Sequence, residues 1–438
     1  MATPPWAILG RTLRVALGPD HPAAEPRPMR HSWAVSEDVE AQALADDVAF
    51  VETLSEHAAI DAAPDFTIPI VLPPRVAVVV AASRRVQPHP DNPDTYPYII
   101  GARPHFILAH FSAWPMYGTT FADNPHRSNL VVVRNFETGD GCTTATAEHV
   151  LDRPGHIPAL RNVRGVILAT SGSDGYMIAE LQVDRAGRDR ATIIYLRSAG
   201  SDGWHLKHIR SPLPAVDRDR EWRTHGAVFV DRTLWWFDLS WGLLGCDASL
   251  GVSDLVFLPL PTARGGLVRE RDPLEIHDMR CFTASGNKLR YVEIIGLGDG
   301  ARVCMWSLSL KPDGNGWQWD DMNYQMRFQE IWRDDSYRQT GLAWSVPKLA
   351  AVNPRDPNLV YFSLQRRLFG VDVPHHRVVH SADYVLVNMP GTPPPGTSRY
   401  LVVWDMPEQG AQGHEVARTC VMLNAFARGG VIDRMSYR

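Results

Sequence analysis

The sequence predicts an all-β fold: a β-propeller of about six four-stranded blades (range five to seven) with one N-terminal amphipathic helix. Three observations lead there. Residues 233–247 (TLWWFDLSWGLLGCD) and 358–372 (NLVYFSLQRRLFGVD) repeat at an offset of 125, matching at Leu234/Leu359, Phe237/Phe362, Leu239/Leu364, Leu243/Leu368, Gly245/Gly370 and Asp247/Asp372. From Gly165 onward, strand-length apolar runs alternate with turn chemistry in units of four strands, the size of a propeller blade. The chain also carries 14 Trp beside 14 Phe and 12 Tyr, a Trp-rich balance that suits the packing between stacked sheets.

In chain order, residues 1–36 supply N-terminal strands, with Ala7–Leu9 and Thr12–Leu17 as the expected runs. Residues 37–63 read as an acidic amphipathic helix, because Leu44, Val48, Val51 and Leu54 recur at helical spacing behind Ser36 as N-cap. Residues 64–438 read as a single propeller domain. Four units stand out, starting near Gly165, Ala227, Cys281 and Lys348, and their strands are bounded by the Gly, Asp, Asn and Pro that hairpins require, as at the Gly286-Asn287 turn of the third. A fifth unit is expected upstream from HFILAHF (105–111) and NLVVVRNF (129–136), with a long insertion between them. Further strand candidates are FTIPIV (66–71), RVAVVVAA (75–82), RYLVVWDM (399–406) and ARTCVML (417–423). Pairing an N-terminal strand with a C-terminal one would close the ring and hide the last sheet edges.

Trp235–Asp238, Gly242–Asp247 and Phe257–Pro261, preceded by Ala227–Val230, resemble the core signature of the plant family catalogued as domain of unknown function 1618. The signature blade spans 226–261, and Trp6–Gly10 (WAILG) is similar to the Trp-led opening of that family. The same stretch is more distantly similar to F-box-associated propeller repeats, although the N-terminal region has no F-box pattern. The resemblance implies a propeller in a plant cell and brings no catalytic residues with it.

Composition narrows the function classes. A formal net charge of -5 without a long Lys/Arg run argues against nucleic-acid binding. No apolar run reaches the ~18 residues of a membrane helix. Cys142, Cys246, Cys281, Cys304 and Cys420, odd in number and scattered, read as free thiols of a reducing compartment. The expected location is therefore cytoplasm or nucleus, with organelle targeting left open by Arg11 and Arg14, and the expected state is a monomer.

No catalytic signature, metal set or cofactor motif emerges. Asp247 and Asp372 are expected to accept turn N–H groups. His375, His376 and His380 are the densest imidazole cluster but lack metal-ligand spacing, and the adjacent pairs Asp320/Asp321 and Asp334/Asp335 do not have the opposed placement of a glycosidase. The leading expectation is a non-catalytic module binding a protein or peptide partner, with Trp241, Trp332, Arg333, Trp114 and Tyr117 as exposed anchors. The alternatives are a propeller hydrolase or lyase acting at the channel mouth and a structural family member without its own activity.

Overall fold

Short β-branched and aromatic runs bounded by Gly, Asp and Asn pair most readily with their sequence neighbours, as antiparallel meanders. The structure, a computed structural model, describes residues 6–17, 66–83, 96–111, 130–139, 141–171, 175–184, 190–198, 203–214, 220–251, 254–261, 276–314, 316–387 and 396–407. Five meanders form a five-bladed propeller arrangement. Blade I comprises Tyr98–Arg103, Phe106–His110, Leu130–Thr138 and Cys142–His149. Blade II is Val166–Ser171, Gly175–Val183, Arg190–Arg197 and His205–Arg210, and blade III is Gly226–Val230, Thr233–Asp238, Gly242–Asp247 and Val256–Pro259. Blade IV is Arg280–Ser285, Lys288–Ile295, Arg302–Leu310 and Trp317–Trp319, with Tyr324–Arg327 also paired to Arg302–Leu310. Blade V is Lys348–Val352, Leu359–Leu364, Arg367–Asp372 and Arg377–Asp383.

A three-stranded sheet stands between blades V and I and closes the ring. In it the N-terminal strand Trp6–Gly10 pairs antiparallel with Leu401–Asp405 and parallel with Val76–Ala77. The run read as one strand over 75–82 is therefore two. Its second half, Val80–Ser83, joins Arg14–Leu17 and Phe66–Pro69 on the outer edge of blade I, making a seven-stranded sheet. The expected helix over 37–63 and the strand candidate at 417–423 lie outside the described residues.

The cores lie between blades. Trp236 faces blade II, packing with Ile167, Ala179 and Ile193, whereas Trp235 faces blade IV, packing with Phe282, Tyr291 and Trp306. Alternate strand positions point to opposite faces, so one WW dipeptide fills two interfaces. Trp235 lies over Gly245, its cross-strand partner, and Tyr361 lies over Gly370 in the same way. The glycines are needed because a Cβ on Gly245 would stand 2.3 Å from the Trp235 ring, and one on Gly370 would stand 2.8 Å from Tyr361.

This geometry corrects the ungapped repeat. Gly245 and Gly370 are equivalent at offset 125, but their partners Trp235 and Tyr361 are 126 apart. The cause is the turn: Leu239, Ser240 and Trp241 bridge Asp238 to Gly242, while only Gln365 and Arg366 bridge Leu364 to Arg367. Both residues of the shorter turn have positive φ, 50° and 64°, as a two-residue hairpin of right-handed strand twist demands. A one-residue slip reverses the faces. Phe237 accordingly faces blade IV, and Phe362, its match by text, faces backward into the blade IV–V core.

Among the described cysteines, Cys246, Cys281 and Cys304 are free and buried as expected. Cys142 is disulfide-bonded, against the expectation of free thiols throughout.

Gly245→Ala is expected to destabilise the fold by about 1–3 kcal/mol through overpacking against Trp235. Gly251→Ala, whose nearest neighbour would be Ser249 Oγ at 3.6 Å, is expected to leave stability unchanged. The midpoints of urea unfolding check both.

Candidate functional site

The inner strands of all five blades and of the closing sheet surround a central cavity of about 590 Å³. The residues just before these strands converge at one mouth. Arg164 precedes Val166–Ser171, His225 precedes Gly226–Val230, His277 precedes Arg280–Ser285, and Arg399 precedes Leu401–Asp405. Arg11 joins them from the turn after Trp6–Gly10. At the other mouth, Arg103 donates through Nη2 to the Phe229 carbonyl and lies 5.4 Å over the Phe229 ring, and the lining there includes Asp231 and Asp405.

Each basic side chain is held by its neighbours. Arg11 donates through Nε to Leu401 O (3.0 Å) and through Nη1 to Ile99 O (2.9 Å) and Ile100 O (2.7 Å). It thereby ties the closing sheet to blade I. Tyr98 Oη donates to Arg399 O at 3.1 Å. The Trp236 indole N–H donates to Gly165 O at 2.8 Å, and Asn162 Nδ2 donates to Thr224 O at 2.9 Å, fixing the backbone around Arg164 against the entry to blade III. Behind this segment lies a buried pair. Arg153 Nη1 donates to Glu180 Oε2 at 2.8 Å, and Glu180 Oε1 accepts the Arg161 N–H (2.9 Å) and the Asn162 N–H (3.3 Å). Arg153 also stacks 4.5 Å over Trp204.

His277 Nε2 stands 3.5 Å from Arg164 Nη1, and its ring lies 5.6 Å from that of His225. Burial, reinforced by Arg164, His225, Arg399 and Arg11, holds the His277 imidazole well below its usual range. Arg164 is lowered first by burial, and Arg399 and Arg11 add to the effect. His225 Nδ1 lies 3.2 Å from Leu239 N and 3.5 Å from Asp238 Oδ1. Burial would raise the Asp238 carboxyl, but hydrogen bonds from His225 and Ser240 outweigh it and hold Asp238 ionised below the usual range. Arg280 donates to Glu293 Oε1 through Nε (2.8 Å) and Nη2 (2.7 Å) and to Leu239 O through Nη1 (2.9 Å). Its charge is thus matched by a carboxylate beside the mouth and not inside it.

The residues singled out from sequence fall elsewhere. Trp241, expected to be exposed in its turn, is buried: it packs on Trp222 (6.1 Å) and Phe257 (5.7 Å), and Arg220 covers its ring at 4.8 Å. Trp332 is also buried. The short helix Phe328–Arg333 puts Phe328, Ile331 and Trp332 on its inner face, at helical spacing that strand grammar does not anticipate, and Arg333 alone of that pair stays exposed. Trp114 and Tyr117 lie outside the described residues. Among the described residues Trp344 is the fully exposed aromatic, 63% accessible on the connection leading into Lys348–Val352.

The turn carboxylates behave as local ties. Asp247 accepts the Ser249 N–H at 2.7 Å, and Asp334 accepts the Ser336 N–H at 2.9 Å. Asp372 instead lies 2.8 Å from His375 Nδ1, while His376 faces Glu330 at 3.9 Å. Among the described residues no group of three or more His, Cys, Asp or Glu is placed to hold a metal ion, and no helix is long and apolar enough to cross a membrane.

The five mouth residues were missed because they are scattered from position 11 to position 399 and carry no motif. A signal does exist. Aligning the blades on their inner strands brings Arg164-Gly165-Val166 over His225-Gly226-Ala227, a basic residue followed by Gly at the entry of consecutive blades.

Residues 236–361 match the family model described as Protein of unknown function (DUF1618). That match supports the family to which the sequence resemblance pointed. It runs from the second strand of blade III through blade IV into the second strand of blade V. No curated protein matches the chain. Among solved structures, apo AztD from Citrobacter koseri is similar at 11% identity and a TM-score of 0.27, covering 65% of this chain and 79% of its own. The β-propeller domain of Myceliophteria thermophila Cps50 (Swd1) is similar at 12% identity and a TM-score of 0.26, covering 58% and 82%. Dihydro-heme d1 dehydrogenase NirN in complex with DHE is similar at 11% identity and a TM-score of 0.27, covering 71% and 76%. Likeness at this level carries no argument about activity, and the site is read from this chain's own residues.

A pH dependence follows from the buried histidines. His110, pushed down to about 3 by burial, and His277 are both neutral in the folded state and titrate near 6.5 once unfolded. The unfolded chain therefore takes up more protons as pH falls through 6.5, and stability present above that value is lost below it. Between pH 6.5 and 5 His110 is expected to remove about 2 kcal/mol, and His277 acts in the same direction. Unfolding free energies across that range should show the slope, and His110→Leu should flatten it.

Proposed function

We propose that this propeller is a non-catalytic binding module, taking a protein or peptide partner on the face that carries the basic channel mouth. The observation that supports this reading most is the exposed Trp344. Large apolar side chains at 63% exposure are unusual for Trp, and Trp and Arg dominate interface hot spots. Trp344 lies four residues before Lys348, so its connection arrives at the end of the channel where the inner strands begin. Lys348 itself pairs with Asp278 at 2.7 Å, next to His277 of the mouth. Exposed Arg333 and Arg338 belong to the same connection. We extend the proposal, through the family resemblance, to a plant protein, and through composition to a monomer of cytoplasm or nucleus without a cofactor.

A second reading, a hydrolase or lyase at the channel mouth, draws on the adjacent imidazoles of His225 and His277. It requires turnover that His277→Gln abolishes while partner binding survives.

Panning a displayed peptide library against the full chain tests the leading reading. Trp344→Ala is expected to weaken the selected peptides by about 30-fold or more, the cost of a hot-spot residue, while shifting stability by less than about 0.5 kcal/mol. Selected peptides that bind Trp344→Ala and Arg333→Ala as tightly as the unaltered chain would overturn it.

A further inference from the structure

The chain has five cysteines. Cys246, Cys281 and Cys304 are free, whereas Cys142 is disulfide-bonded. A bond within the chain leaves Cys142 one partner, Cys420, which lies outside the described residues. The described residues show where the chain stands as it leads toward that cysteine.

Strand direction puts Cys142 and the exit of the chain on one face. Tyr98 pairs with His110 and His110 with Leu130, so Leu130–Thr138 starts beside the basic mouth and ends at the opposite mouth, that of Arg103. Cys142 opens the next strand there, with the Gly139 N–H donating to Cys142 O at 3.0 Å and the Ile70 N–H donating to Gly141 O at 2.9 Å. Leu401–Asp405 runs in the same sense, from Arg399 at the basic mouth to Asp405 at the opposite one. From there the chain passes onto blade I. Trp404 donates its indole N–H to Arg103 O at 2.8 Å, and its ring lies 4.9 Å from that of Phe136, in the strand that leads to Cys142. Met406 enters the same core as Phe66, Ile68 and Ala145, whose two strands pair Pro69 with Cys142 itself. Cys420 follows Met406 by 14 residues, an extended reach of about 45 Å. Seven paired strands measure only about 30 Å across.

We propose that Cys142 and Cys420 form a redox-controlled strap that secures ring closure. It stands apart from the binding-module reading and needs no partner. The bond closes a covalent loop around blades II to V, so Leu401–Asp405 is held against blade I by a covalent tie as well as by backbone pairing and packing. In a compartment buffered by glutathione such a bridge follows the thiol poise. Closure takes two protein thiols and one glutathione disulfide. The first protein thiolate displaces one glutathione and forms a mixed disulfide. The second attacks the protein sulfur of that bond and displaces the other glutathione. Two glutathione thiols leave, carrying the two electrons and the two protons that the protein gives up. Cys246, Cys281 and Cys304 stay out of this chemistry, because burial pushes the first two up to about 12 and the third to about 11.

Peptide mapping of the full chain tests the bond. The protein is equilibrated with glutathione disulfide, its free thiols are alkylated in denaturant, and the digest is read by mass spectrometry without reduction. A peptide pair joined through Cys142 and Cys420 is expected and should be lost on dithiothreitol treatment, with Cys246, Cys281 and Cys304 alkylated. In Cys420→Ser the Cys142 peptide should carry glutathione or the alkyl group instead. Cys142 found alkylated in the unaltered chain, joined to a different cysteine, or joined to a second copy overturns the proposal. Hydrogen exchange on the unaltered chain then tests the strap without any variant. Reduction is expected to speed exchange of the Leu401–Asp405 amides about tenfold or more and to leave those of Thr233–Asp238 unchanged. A linked peptide pair with equal exchange at Leu401–Asp405 before and after reduction would overturn it as well. Neither result bears on peptide binding at Trp344.

Discussion

Ring closure is the constraint on which the rest depends. A stack of meanders exposes two sheet edges until its ends meet, and unpaired backbone groups are costly wherever water is excluded. Here the N-terminal strand Trp6–Gly10 pairs over its whole length with Leu401–Asp405, residues almost 400 apart in sequence. That pairing also builds the mouth. Arg11 immediately follows the first of these strands and Arg399 precedes the second, so two of the three mouth arginines arrive there only when the ring is shut. Arg11 then locks the closure by bonding backward to Leu401 and sideways to Ile99 and Ile100.

Between closure points, the blades are held by aromatic side chains lying over glycines. Trp235 over Gly245 and Tyr361 over Gly370 occupy the same place in blades III and V, and each faces the sheet that follows, blade IV for Trp235 and the closing sheet for Tyr361. Trp236 faces the preceding blade and spends its indole N–H on Gly165, next to Arg164. The motif that dominates the text of the sequence thus reaches the site through one hydrogen bond, as a positioning element. Glu180 acts from the other side, gathering Arg153 and the 161–162 backbone in a buried network. Such a pair adds little net stability but fixes one arrangement, since removal of either partner strands a buried charge.

Much of this was legible in the sequence. The strands of blades II to V follow the apolar runs within a residue or two because each is bounded by turn residues. Blade I was only half visible: Cys142–His149, CTTATAEH, has no apolar run, and its burial comes from neighbours on both sides. Repeat equivalence was misread by one residue, since the ungapped comparison could not register that one turn has a residue more than the other. Trp332 looked like an anchor because it lies in an interblade connection, and the helix that turns it inward has only six residues, too short for periodicity to show. The mouth was illegible for a different reason. Its residues are brought together by inner-strand geometry, one from each blade entry, and no local spacing records that.

Ring closure through Trp6–Gly10 and Leu401–Asp405, clamped by Arg11, is the central claim, and hydrogen exchange on the full chain measures it most directly. Arg11→Gln is predicted to speed exchange of the Trp6–Gly10 and Leu401–Asp405 amides together, because both strands lose the same clamp. Exchange at the two closing strands that stays as slow as in the unaltered chain would contradict the account.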